Sequence, residues 1–366
     1  MRPETEAELA EIVAGLQGPV RIAGGGTRGI GGPDDLVETG GLSGITLYEP
    51  GALTIVAQAG TSVAEIEAAL DAEGQQLAFE PMDHRGLLGT NGTPTIGGVV
   101  AANISGPRRI QAGACRDFLL GVRYVDGRGQ IVKNGGRVMK NVTGYDLVKL
   151  MSGAWGTLGV LTEVSLKVLP KPEAIATLQI PVADAGTAIR VLSAALKSPF
   201  EVSGAAYDPQ TGRALLRLEG FADSVAYRVE QLKSTLAGFG APEEIEGLPD
   251  LWRGIRDAAV FHDKEGDVWR ISVKPTDAPE VSARLDASQT LLDWGGGLIW
   301  ALVPKGTDLR ARLGAFDGHA TIVRADTETT GNLGRFQPET AGIAALTHGL
   351  RQKFDPRGLF NPGLMG

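Results

Sequence analysis

Between residues 24 and 33 the chain reads GGGTRGIGGP, six glycines in ten residues closed by a proline. This run follows the apolar strand-like stretch Val20–Ala23, and it constrains the fold more than any other feature. Gly24, Gly26 and Gly29 satisfy the spacing G-x-G-x-x-G of a nicotinamide-dinucleotide fingerprint. That fingerprint must open directly into a helix, whose N-terminus holds the pyrophosphate. Here the loop continues as Ile30-Gly31-Gly32-Pro33, which cannot start such a helix. Glu38 also comes too early for the acid that reads a ribose about 20 residues on. The remaining uses are a flexible loop with no ligand or a nest, in which successive backbone N–H groups converge on an anion. The strand that fixes one end of the loop favours the nest.

Glycine is abundant throughout, 52 of 366 residues, mostly in the first half. Such a length suits two domains rather than one core. The net charge of -8 gives no sign of a nucleic-acid partner. The single cysteine, Cys115, can form no disulfide within the chain and cannot by itself ligate an iron–sulfur cluster. The N-terminus MRPETEAELAEIV carries acids and lacks an apolar core, so no signal peptide is expected. No apolar run approaches the ~20 residues that span a bilayer.

Thr5 and Glu8 have capping-box spacing before Leu9, Ile12, Val13 and Leu16, and Ser62 and Glu65 repeat it before a helix ending near Gly74. Strands are expected at Leu36–Thr39, Ile45–Tyr48, Thr54–Ala59, Gly121–Val125, Gln130–Lys133 and Gly159–Val168, with Asp126-Gly127 as a hairpin turn and a helix over Asp146–Ser152. Beyond Pro170 and Pro172 glycine thins out. Strands and helices then alternate: strand Thr177–Val182, helix Ala185–Leu196, strand Ala214–Leu218, helix Val225–Phe239. A looser second set runs from Leu251 to Arg324. This order predicts an α+β sandwich. Thr327–Pro338 reads as a loop, and a last helix is expected from about Glu339 to Phe354.

Three segments carry a resemblance: ITLYEPGALTIVAQAGTSVAEIEAAL followed by Glu80-Pro81, TIGGVVAANISG from Thr95 to Gly106, and the run from Gly136 to Pro170. Together with the ending at Phe354–Gly363 they resemble the vanillyl-alcohol oxidase / p-cresol methylhydroxylase flavoproteins. Within these, the run from Gly136 is most similar to the E-type FAD-binding subunits of bacterial glycolate oxidases. The likeness covers nearly the whole chain and is strongest over residues 20–170 and 318–366. It implies an α+β fold with a two-subdomain FAD-binding domain at 1–170, closed by a return at 346–366, and a cap domain at 171–345.

The resemblance also assigns residues. Gly24, Gly25, Gly26 and Thr27 would hold the FAD pyrophosphate, with backbone donors added by Gly97 and Gly98. Pro81, Asn103, Ser105, Gly106, Gly113 and Asp117 would lie beside the phosphates or the flavin. Gly156, Thr157, Gly159, Val160 and Thr162 would approach the adenine and flavin, and Asn361 with Pro362 would return to the flavin edge. Arg108 and Arg109 would neutralise the pyrophosphate or serve as ordinary surface charges. Covalent relatives carry a histidine in the first glycine loop. Here that loop has none, so the expected FAD is non-covalent.

The resemblance further implies a subunit of a complex that oxidises glycolate or another 2-hydroxy acid. Its partners would be a second, D-type FAD subunit and a cysteine-rich iron–sulfur subunit. The chain would be cytoplasmic, peripheral to the membrane only through those partners. D-type relatives use a histidine-rich metal site, but His84, His262, His319 and His348 show no ligand spacing, so no metal is expected. Candidate catalytic residues are His319 as a base, Arg270 as a carboxylate clamp, and His84, which follows Pro81-Met82-Asp83 in the loop after an expected strand at Phe79. Each has an ordinary structural reading, as a hydrogen-bonded histidine or a solvated strand residue. Trp269, Trp294 and Trp300 read as core or interface aromatics. Two other functions stay open: a self-sufficient FAD oxidoreductase of a hydroxy acid, sugar or aldonolactone, and a flavin-holding scaffold without turnover.

Overall fold

The computed structural model describes residues 1–137, 144–245 and 250–365. Part of the run from Gly136 to Pro170, residues 138–143, lies outside them. The chain divides into two units: residues 1–105, 113–170 and 338–366 form the first, and residues 106–112 and 171–337 the second. Residues 106–112, read from the sequence with the first segment, therefore group with the second, and the C-terminal return begins at Pro338 rather than 346.

The first unit is built on a five-stranded antiparallel sheet. Its order is Ile45–Glu49, Thr54–Gln58, Val160–Lys167, Leu119–Val125, Ile131–Gly135. Beside it a short parallel pair joins Arg21–Ala23 to Leu36–Glu38, with Ala23 opposite Glu38. The twelve residues between these strands form the glycine loop, and no helix occurs in them. Phe360 bridges to Val20 in parallel, extending the pair with the far end of the chain. Val20, Val37, Val125, Val160, Leu359 and Phe360 share one buried cluster with Leu9 and Val13 of the first helix, Glu6–Gly15. Burial of this kind is worth about 1.5–3 kcal/mol per large side chain, so the C-terminal return is held by the same core as the N-terminal helix.

The capping residues behave as the sequence suggests. Thr5 Oγ accepts from Glu8 N–H and Ser62 Oγ from Glu65 N–H, both at 3.1 Å. The reciprocal Glu8 carboxylate, however, accepts from Glu4 N–H. The hairpin differs from expectation. Val125 pairs with Ile131, so the loop is residues 126–130 and Asp126-Gly127 is not a two-residue turn. Asp126 Oδ1 accepts from Arg128 and Gln130 N–H instead, and the left-handed residue is Gly129, at φ +78°. The expected strand at Phe79 is also absent; only Gln75 and Gln76 are extended there.

The second unit is one eight-stranded antiparallel sheet. Its order is Glu243–Ile245, Ala174–Pro181, Arg213–Gly220, Gly204–Asp208, Gln289–Asp293, Leu298–Val303, Asp267–Val273, Gly318–Arg324. Helices Ala185–Lys197, Ala222–Leu236 and Ala278–Arg284 bury their apolar stripes with Leu178, Leu216, Trp269, Ile271 and Ile299 in one core. The strands Gly204–Asp208 and Gln289–Asp293 are not among the expected ones, and they join the two halves of the sheet through a Tyr207–Leu292 pair. Thr327–Leu333, expected as loop, is a helix capped by Asp326, whose Oδ1 accepts from Thr329 N–H at 2.7 Å. The last helix, Ala341–Phe354, belongs to the first unit and buries none of its residues.

Candidate functional site

In the first unit a cavity of about 570 Å³ opens at the C-terminal end of the parallel pair. Gly24, Gly25, Gly26 and Thr27 line one wall. The backbone N–H groups of Gly25, Gly26 and Thr27 donate no hydrogen bond among the described residues. Three consecutive free donors are what a nest requires. Gly26, at φ +69° with open space around it, supplies the left-handed turn.

Two of these glycines have a second reason to be glycine. A Cβ on Gly25 would overlap the carbonyl oxygen of Thr93, and one on Gly24 would overlap Thr95 Oγ1. The loop is packed backbone to backbone against residues 92–95, where Gly92 in turn has no room for a Cβ beside Gly25.

Gly97 and Gly98 also line the cavity, but their N–H groups are already engaged. Gly97 donates to Ala59 O at 2.8 Å, and Gly98 to Thr95 Oγ at 3.4 Å, the cap of the six-residue helix Ile96–Ala101. The expected donors are therefore spent on fold. A Cβ on Gly97 would lie 2.6 Å from the Ala59 Cβ, so close packing accounts for that glycine.

The positive charge in the cavity comes from Arg2, Arg21 and Arg28, none of which the resemblance assigned. Arg21 and Arg28 both line it, and the Nε of each is buried without a hydrogen-bond partner. Arg28 donates from Nη1 to Gly98 O at 3.0 Å. Desolvation holds its pKa down to about 10, so it is still cationic at neutral pH. A desolvated guanidinium with an unused donor is costly unless an anion meets it. The only sequence signal is that Arg28 lies inside the glycine loop. Glu38, too early in sequence for a ribose-reading acid, ends the second parallel strand and lines the cavity too.

Gly156, Gly159 and Asn361 also line the cavity. Asn361, at φ +44° and 6% exposed, accepts from Ile22 N–H at 2.7 Å and donates to Trp155 O at 2.8 Å. Its amide thus ties the first strand to the turn at Trp155 and Gly156, which are at φ +53° and +71°.

Other expected site residues do not line the cavity; they shape what surrounds it. Asn103 Oδ1 accepts from Arg116 N–H at 3.0 Å, Ser105 Oγ from Cys115 N–H at 2.9 Å, and Asp117 Oδ2 from Ala114 N–H at 2.8 Å. Gly113, at φ +107°, sits against the Asp117 side chain. Thr157 donates to Ala154 O at 2.7 Å, Val160 is core, and Thr162 donates to Glu6 Oε1 at 2.5 Å. Pro81 is buried, next to Glu80 at φ +47°. His84 is also buried, its Nδ1 3.3 Å from Met82 O. Cys115 is buried, and burial pushes its thiol pKa well up, which fits a packing role.

Gly106, Arg108 and Arg109 belong to the second unit. Arg108 is neither a pyrophosphate partner nor a surface charge: it makes a buried two-pronged pair with Glu219, at 2.9 and 2.6 Å. Arg109 stands over the Trp294 ring, and Trp294 Nε1 donates to Gly106 O at 3.0 Å. Arg270 and His319 lie in the same unit, on adjacent strands. Among the described residues no group of three or more His, Cys, Asp or Glu side chains could hold a metal, and no helix is long and apolar enough to cross a membrane.

Free backbone donors, two guanidinium groups with unused donors and a glycine-lined cavity suit the diphosphate of a dinucleotide. Comparisons with known proteins agree. Residues 1–135 match the family described as FAD binding domain. The chain is 38% identical over 324 residues to the glycolate oxidase subunit GlcE of Escherichia coli, covering 88% of this chain and 84% of that one. It is 36% identical over 126 residues to the glycolate oxidase subunit GlcD of Bacillus subtilis, covering 34% of this chain and 25% of that one. A solved alkyldihydroxyacetonephosphate synthase superposes with a TM-score of 0.71 at 17% identity, covering 99% of this chain and 76% of that one, which shows a shared fold. The expected α+β flavoprotein fold is therefore present, and the chain belongs to the FAD-linked family of the glycolate oxidase subunit GlcE.

Proposed function

We propose that this chain is the FAD-holding subunit of a multisubunit oxidase that converts glycolate, or a close 2-hydroxy acid, to its oxo acid. Likeness to GlcE over most of both chains supports the assembly, and the observation that carries the cofactor is the anion cradle of Gly25–Thr27 with Arg21 and Arg28. When bound, FAD would supply an acceptor for the electrons released in hydroxy-acid oxidation by the assembled complex. The chain's own residues bind and orient. The loop N–H groups and both guanidinium groups would take the diphosphate, and Asn361 would set the distance between the first strand and the Gly156 turn.

The partners in this reading are a D-type flavin subunit and a cysteine-rich iron–sulfur subunit that carries electrons onward. The first glycine loop has no histidine to alkylate, which supports non-covalent FAD. Acid precipitation should leave yellow flavin in the supernatant; flavin retained by the precipitated polypeptide would sink that part. Co-purification tests the assembly. The tagged chain should recover both partners when all three are expressed together, and glycolate should bleach the complex. A chain that stays alone under those conditions refutes the assembly.

Arg270 and His319 on one sheet supply the observation behind a second reading, turnover by this chain alone. Anaerobic mixing of the purified flavoprotein with glycolate separates the two. Slow or absent bleaching supports the accessory role, and rapid bleaching without partners supports self-sufficiency.

A further inference from the structure

Among the described residues, Glu38 is the one acid in the cavity lining. A carboxylate in a cavity suited to a diphosphate works against that anion unless it meets a different part of the same ligand. Its direction follows from the strand Leu36–Glu38. Val37 is buried in the cluster of Leu9 and Val13, so alternation turns Leu36 and Glu38 to the other side, and both line the cavity. The Glu38 carboxylate makes no hydrogen bond or ion pair to a protein group among the described residues. Arg2, also in the lining, donates to Gly40 O at 3.4 Å rather than to Glu38.

The backbone that presents this carboxylate is fixed. Glu38 N–H donates to Met1 O at 2.9 Å. Thr39 is buried, and its Oγ1 donates to Ala23 O at 3.4 Å, which ties the ends of the two parallel strands together. A Cβ on Gly60 would overlap Thr39 O, so the turn after Glu38 is packed backbone to backbone. Ala23 and Glu38 are register partners, and neighbouring strands lie about 4.8 Å apart. The anion cradle begins at the next residue, Gly24. Glu38 therefore stands one strand to the side of the cradle, at the same end of the pair. An acid that reads a ribose in a nicotinamide-dinucleotide fold has this relation to its phosphate loop, and about 20 residues separate the two because a helix intervenes. Here the twelve residues between the strands contain no helix. The short spacing reflects that missing helix, and the acid still arrives beside the loop.

We propose that Glu38 accepts hydrogen bonds from the vicinal diol of the adenosine ribose of the cofactor. A carboxylate has two acceptor oxygens and no donor, and a diol offers two donors. The same negative charge would turn away a nucleotide that carries phosphate on either hydroxyl. The inference rests on the FAD reading and concerns a part of the ligand other than its diphosphate.

The test is fluorescence titration of the flavin-free full chain with three ligands: FAD, an FAD analogue whose adenosine ribose lacks both hydroxyls, and one with hypoxanthine in place of adenine. Wild type should bind FAD at least tenfold more tightly than the dideoxy analogue. Glu38→Ala should bind the two equally. Loss of the carboxylate also relieves its repulsion of the phosphates, but that effect is common to both ligands and cancels in the ratio. Glu38→Gln, which keeps one acceptor oxygen, should fall between; it serves as the probe if alanine lowers the melting temperature. The hypoxanthine analogue should bind as FAD does. Three results would each overturn the proposal: equal affinity of wild type for FAD and the dideoxy analogue, a ratio unchanged in both Glu38 variants, or a discrimination against hypoxanthine that Glu38→Ala abolishes, which would put the carboxylate on the base. Failure of wild type to bind FAD at all would instead sink the cofactor reading and this inference with it, so the two failures are distinguishable.

Discussion

The side chain of Asn361 accepts a 2.7 Å hydrogen bond from the backbone N–H of Ile22, across nearly the whole length of the chain. Its amide nitrogen holds Trp155 O at the same time. Asn361→Ala removes both bonds and leaves a backbone donor and acceptor without partners. The expected loss is about 2–4 kcal/mol. Chemical denaturation should show it, together with reduced flavin content. Unchanged stability would mean that the return is held by Leu359 and Phe360 alone.

Gly25 and Gly26 are adjacent but should respond differently. Gly25→Ala drives a Cβ into the Thr93 carbonyl and should cost about 3 kcal/mol, with loss of flavin. The same variant with aspartate would fail for packing as well as for charge. Gly26→Ala meets no neighbour and pays only for its left-handed φ, about 1–2 kcal/mol. Thermal melts of the two apoproteins, compared side by side, should show the gap; equal melting temperatures would contradict the packing.

Arg28→Gln should lower FAD affinity at least tenfold while leaving the fold intact, because its guanidinium carries an unused buried donor rather than an ion pair. Flavin retention after dialysis, measured at low and high salt, is the check. The variant should lose much of the salt dependence seen in wild type. Full retention in the variant would remove Arg28 from the diphosphate site.

Glu219 supplies a pH prediction. Burial works to raise its pKa, but hydrogen bonds from Arg108 and the charges of Arg217 and Arg108 outweigh it, so the net shift is downward from 4.5. The folded state therefore binds fewer protons than the unfolded state below about 4.5. Its stabilising contribution is complete above that value and is lost as the pH falls through the lower folded pKa. Arg108→Ala should leave the buried carboxylate with Arg217, 3.4 Å away, as its remaining ion-pair partner, destabilise the second unit by about 1–3 kcal/mol, and move acid unfolding to higher pH. Urea melts at pH 4 and pH 7 would show this. An Arg108→Ala variant as stable as wild type would refute it.

The sequence by itself determined the two-unit α+β architecture, the positions of most strands and helices, and a glycine loop that does not open into a helix. Each depends on local signals: alternation, capping residues such as Thr5 and Ser62, and a proline that bars a helix at Pro33. Tertiary structure alone decided the rest. Two cations of the cavity, Arg21 and Arg28, are ordinary residues until folding removes their water and leaves the Nε of each without a partner. Gly97 and Gly98 read as ligand donors, yet their N–H groups go to Ala59 and Thr95, partners that only the fold brings near. Arg108 and Arg109 sit beside the phosphate-binding motifs in sequence, but their segment packs with the second unit, where Glu219 and Trp294 claim them. A local motif specifies which groups a backbone can offer, whereas long-range packing decides which of those offers are already taken.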